Sequence, residues 1–77
     1  MRFIYDSSRY SVAEFPGHEG IELLDKRSRR SGFIAGAVED RFRALMRVQI
    51  NDDPSDEALD EFIGCYEPLM TLPAAMH

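Results

Sequence analysis

The chain has 77 residues, of which 44% are hydrophobic and 30% charged, with a formal net charge of −5. That length allows one domain, because two halves would each be too small to bury a core without metals or disulfides. The single cysteine, Cys65, excludes an internal disulfide and a multi-thiolate metal cluster, so stability must come from helix packing or self-association.

No stretch approaches the roughly 20 apolar residues that cross a bilayer, and Met1 to Asp6 lacks the apolar core of a signal peptide. No membrane association and cytoplasmic residence are therefore expected, and a lone cysteine fits a reducing compartment. The charge is divided along the chain. All nine Lys and Arg residues lie between Arg2 and Arg47 beside seven acids, whereas Val48 onward holds seven acids and no Lys or Arg. The two ends therefore carry opposite fields that can neutralise each other within a molecule or across a dimer.

In chain order, Phe3-Ile4-Tyr5 and Tyr10 to Phe15 read as two strands around the polar turn Asp6-Ser7-Ser8. Alternation sets Tyr10 and Val12 on one face, Ala13 and Phe15 on the other. Pro16-Gly17 ends the second strand. Ile21 to Asp25 is a third strand, Lys26-Arg27-Ser28-Arg29 a basic turn, and Arg30 to Ile34 a return strand. Within it, Gly32 marks a bulge or a close backbone approach.

Gly36 is the expected N-cap of the first helix, with Glu39 reaching back to it. Val38, Phe42, Leu45, Met46 and Val48 form a broad apolar face, and Glu39, Arg43 and Arg47 form an ion-pair ladder at spacings of four. Asp53-Pro54 reads as N-cap and first position of a second helix, with the apolar stripe Leu59, Phe62, Ile63 and Tyr66. Pro68 should end or kink that helix near Tyr66, and the apolar tail from Thr71 to His77 should dock on a neighbour.

The predicted fold is therefore α+β: a small antiparallel four-stranded meander sheet followed by two helices packed on one face. Ile21, Leu23, Phe33, Val38, Phe42 and Leu45 are the expected inward side. The other sheet face, or an edge strand, is left uncovered and is the natural dimer interface.

Candidate chemistry is sparse. The basic turn Lys26, Arg27, Arg29 and Arg30, joined by Arg43 and Arg47, is the best candidate contact surface, since arginines on a β-ribbon contact phosphates. The acidic total and the lack of interleaved aromatics favour a solvated turn or intersubunit salt bridges over nucleic acid. His18, His77 and Cys65 share no ligand spacing, and Cys65 borders the second helix stripe, where packing is expected. Asp56, Glu57, Asp60 and Glu61 lack the pattern of a calcium loop and suit a helix N-terminus. No catalytic residue, cofactor or metal is expected, and no glycine run matches a phosphate-binding template.

Ile4-Tyr5-Asp6-Ser7, Val12 to Phe15, Glu22 to Lys26, Arg29-Arg30, Phe33-Ile34 with Gly36, and the closing Pro73 to His77 resemble a family of short β-proteobacterial proteins known only as a domain of unknown function. The likeness covers nearly the whole chain and is strongest from Glu22 to Gly36. Three departures stand out: Asp6 in place of asparagine, a short loop from Pro16 to Gly20, and Ser31-Gly32 in place of a glutamate and an aliphatic residue. The last should weaken the fourth strand. The resemblance implies a small cytoplasmic bacterial protein and brings no catalytic residues. The leading expectation is a non-enzymatic homodimeric interaction module with an unknown protein partner; the alternative is a nucleic-acid-associated regulator using Lys26 to Arg30.

Overall fold

The computed structural model describes residues 1–74. Strands β1 (Arg2–Asp6), β2 (Tyr10–Glu14), β3 (Ile21–Asp25) and β4 (Arg30–Ile34) precede helices α1 (Gly36–Asp52) and α2 (Asp56–Gly64). A single 3-10 turn at Glu67–Leu69 leads to a two-residue strand, β5 (Leu72–Pro73). The sheet is antiparallel in the order β1-β2-β3-β4-β5. It is thus the expected α+β meander with one strand more. Leu72 pairs with Ser31 and Pro73 with Arg30, so this part of the tail docks on its own sheet. The rest of the predicted docking segment, 75–77, lies outside the described residues. Among those described, no helix is long and apolar enough to cross a membrane.

Register explains the two faces, because directly paired residues project to the same side. Tyr5, Val12, Leu23 and Gly32 form one cross-strand row, and Glu14, Ile21 and Ile34 another. These rows face the helices, where Val12, Ile21, Leu23 and Ile34 join Tyr10, Phe42, Met46, Ile63 and Met70 in one buried cluster. The intervening rows, Phe3-Ala13-Glu22-Phe33 and Ser11-Leu24-Ser31-Leu72, face away.

Phe33 is therefore not part of the inward side. It is 54% exposed, and its ring lies against Gly20, the cross-strand shielding of a glycine by an aromatic side chain. Val38 and Leu45, also expected inside, are exposed, as is Val48; α1 buries only Phe42 and Met46. The apolar arc of α1 is wider than the strip of sheet and α2 available to cover it.

Gly32 is buried without any bulge between β3 and β4. It admits the backbone of Leu69 and Met70 against the strand. The substitution that should weaken β4 is thus what lets the 3-10 turn pack onto it. The bulge falls in β1 instead, between Phe3 and Tyr5. It leaves Ile4 lining a shallow groove with Phe42, Arg43, Met46, Arg47 and Ile50.

Both helix starts differ by one or two residues from expectation. Ala35, extended at φ −151°, precedes α1 in place of Gly36, and Glu39 turns to Arg43 instead of reaching back. Ser55 caps α2 by accepting the Ala58 N–H at 3.2 Å. Asp53 serves the turn before it, accepting the Ser55 N–H at 3.0 Å, and this bond holds the Asp53 carboxyl below the ordinary carboxylate range. The α2 stripe is as expected: Leu59 and Ile63 are buried, Phe62 and Tyr66 half-buried. Pro68 falls in the 3-10 turn after α2 has ended. Cys65, expected to pack, is exposed; its thiol donates only to the Glu61 carbonyl at 3.6 Å. It lies just past the helix, off the stripe that faces Phe42.

Candidate interaction surfaces

The basic residues do not assemble into one patch. At the β3–β4 turn, the buried carboxylate of Asp25 accepts the backbone N–H groups of Arg27 at 3.0 Å and Ser28 at 3.4 Å, which fixes the turn. Arg29 closes it in a left-handed conformation, φ 58°. Lys26 reaches back to β1, donating to Asp6 Oδ1 and the Ser7 carbonyl, each at 2.5 Å. Arg30 donates to the Thr71 carbonyl at 3.3 Å. All four basic side chains of the turn are exposed, and of these only Arg27 and Arg29 have no side-chain hydrogen bond or ion pair among the described residues.

Arg43 belongs to the opposite end of the strands. It bridges Glu39 at 2.7 Å and Glu14 at 3.1 Å, while Arg2 approaches Glu14 at 3.5 Å. The Glu39 hydrogen bond, seconded by Glu14, raises the Arg43 pKa further above its usual value. This alternating chain lines a cleft of about 640 Å³ with His18, Glu19 and Asp40. Within this chain the cations and anions engage one another, while Glu19 and Asp40 of the same cleft have no ion-pair partner among the described residues. Arg47 lies along the Ile4 groove.

A second polar cluster, which the sequence does not announce, ties α2 to the β1–β2 turn. Asp60 Oδ1 accepts the Tyr5 hydroxyl at 2.9 Å and the Ser7 hydroxyl at 2.7 Å. The Tyr10 hydroxyl donates to Glu67, which also pairs with Arg9 at 3.0 Å, and the Arg9 guanidinium sits 4.9 Å from the Tyr10 ring centre. The sequence places Asp60 in a helix-terminal acidic surface; its partners Tyr5 and Ser7, like the Arg9 and Tyr10 partners of Glu67, are more than 50 residues away in sequence.

Burial first, and then these carboxylates, push both tyrosines from the usual 10.0 up to about 12. A folded-state pKa above the unfolded one means that the folded state holds its protons longer. The resulting stability is complete below about pH 10 and is lost as pH rises through 12. Urea titrations from pH 8 to 12 should show the midpoint falling across that window. Tyr10→Phe should flatten the fall, and an unchanged slope in the variant would contradict the assignment.

Among the described residues, no group of three or more His, Cys, Asp or Glu side chains could hold a metal ion. What the surface does present is apolar. Away from the helices, Phe3 (51% exposed), Phe33 and Leu72 (59% exposed), with half-buried Leu24, surround the small residues Ser11, Ala13 and Ser31. On α1, Val38, Leu45 and Val48 are exposed together with Ala37 and Ala44. Periodicity predicts the second set as apolar but assigns it to the core.

Comparison with known proteins agrees with the resemblance in the sequence. A protein of Burkholderia thailandensis, "Protein BTH_I0359", is 40% identical over an alignment of 85 residues that spans all of both chains. No solved structure matches the chain. The family described as "Protein of unknown function (DUF3567)" matches residues 1–77, and the chain belongs to that family.

Proposed function

We propose that the protein works through its surfaces, as a non-enzymatic homodimeric interaction module of the bacterial cytoplasm. The observation that carries this reading is the pair of exposed apolar patches, one on the open sheet face and one on α1, in a chain of only 77 residues. Large contiguous apolar patches on a protein surface mark interaction sites, and a core this small gains stability when a second subunit adds buried area. The exposed thiol of Cys65 suits a reducing compartment.

The nucleic-acid alternative has less behind it. With Lys26 and Arg30 engaged inside the molecule, Arg27 and Arg29 would have to draw a phosphate backbone to a chain of net charge −5. Light scattering coupled to size exclusion, at tens of micromolar protein, tests the preferred reading. It should give the mass of two chains, and a folded monomer under those conditions would contradict it.

A further inference from the structure

We propose that α1 is the two-fold contact of this dimer, through an exposed stripe, Arg41-Leu45-Val48-Asp52, that is complementary to itself when two helices run antiparallel. The proposal rests on the homodimer reading and specifies which surface makes it.

The stripe follows from helix geometry. Residues 41, 45, 48 and 52 are separated by four, three and four positions, and at about 100° per residue they fall within a sector of about 60°. The two buried residues of α1, Phe42 and Met46, point to a different sector. All four stripe residues are exposed, Val48 at 64%. Val38 and the small side chains of Ala37 and Ala44 border the stripe and would let a second helix approach closely.

Charge selects the occupant. The stripe carries a cation near its start, two aliphatic side chains in its middle and an anion at its end. Neither Arg41 nor Asp52 has an ion-pair partner among the described residues. Asp52 also stands at the C-terminal end of α1, where the helix dipole disfavours negative charge and the last turn holds no basic residue. A two-fold axis midway between Leu45 and Val48 places each Leu45 against the partner's Val48. The same operation sets each Arg41 against the partner's Asp52 at both ends of the contact. The seam is therefore aliphatic at its centre and charge-paired at its rim, with each copy supplying what the other lacks. A contact of this extent belongs to the small class of interfaces and leaves the open sheet face free.

Charge exchange tests this directly by sedimentation velocity at tens of micromolar. Arg41→Asp sets two acids opposite each other at both ends, and Asp52→Arg two cations; each should weaken dimerisation by about tenfold or more. Mixing the two variants in equal amounts should restore a dimer, because each then meets its complement. The double variant R41D/D52R should dimerise as the unaltered chain does. All are at exposed positions, so circular dichroism melts at low micromolar concentration, where dimerisation contributes least, should stay near those of the parent. If the parent dimerises and both single variants dimerise equally well, the contact lies elsewhere and the α1 assignment fails while the dimer reading stands. If the singles are weakened but neither the mixture nor the double variant recovers, the antiparallel pairing is wrong. A monomeric parent overturns both.

Discussion

Replacing Phe42 by alanine is expected to unfold the protein at room temperature. Phe42 is 1% exposed and is where the two helices and the sheet meet. Its ring packs at 5.4 Å from Phe62 and edge-on at 5.0 Å from Tyr66, while those two rings are 5.7 Å apart. Removing the ring costs burial, cavity formation and two aromatic pairings, together about 3–5 kcal/mol. A single core of this size supplies about as much in total, so the variant has little left. Far-ultraviolet circular dichroism at low micromolar concentration, where dimerisation contributes least, should show the loss of helical signal. Phe42→Leu, which keeps most of the volume, should remain folded with a lower midpoint. A Phe42→Ala protein melting within a few degrees of the parent would mean that the aromatic trio does not hold the layers together.

Gly32→Ala should be the next most damaging change, and for the opposite physical reason. A β-carbon at this position would lie 2.8 Å from the Leu69 carbonyl carbon and 3.2 Å from the Met70 α-carbon, with the Leu69 carbonyl oxygen closer still. These are backbone atoms held by the 3-10 turn and by the β4–β5 pairing, so no side chain can rotate away to make room. Overpacking of this kind costs about 1–3 kcal/mol. At about 4–8 °C per kcal/mol for a domain of this size, the melting temperature should fall by roughly 5–20 °C. Amide hydrogen exchange should show increased opening at Leu69 to Leu72 ahead of the rest. An unchanged melting temperature would indicate that the turn can lift off β4 freely.

The parts of the fold that the sequence makes legible are those where local pattern and burial agree. In β3, Ile21 and Leu23 alternate with half-buried Glu22 and Leu24, and the α2 stripe from Leu59 to Tyr66 has no competitor for the inward side. In α1 the pattern over-specifies. Five apolar residues span an arc wider than a monomer can bury, and periodicity carries no information about which portion the sheet will cover. Phe33 fails for a related reason. Alternation sets Phe33 and Ile34 on opposite faces, and only the β3–β4 register, with Ile34 opposite Ile21 and Phe33 opposite Glu22, decides which of them joins Ile21 and Leu23. At Asp53-Pro54-Ser55 two good capping residues stand two apart, and local preference does not rank them. The basic turn is legible as an exposed cluster. That Lys26 and Arg30 are already engaged is not, because Asp6 and Thr71 lie 20 and 41 residues away. The Tyr5-Ser7-Asp60 and Tyr10-Arg9-Glu67 clusters are hidden for the same reason: each joins groups whose proximity exists only after β1–β2 and α2 have packed.

The surplus apolar arc of α1 is thus where sequence and fold disagree most, and it is also the proposed seam of the dimer. Sedimentation equilibrium of the parent chain beside Val48→Glu examines that seam with one exposed side chain that leaves the buried cluster untouched. The parent should approach twice the chain mass of 8.8 kDa at tens of micromolar, and the variant, folded by circular dichroism, should remain at the mass of one chain. A parent that stays at one chain mass, or a variant that associates as strongly as the parent, would contradict a homodimer built on α1.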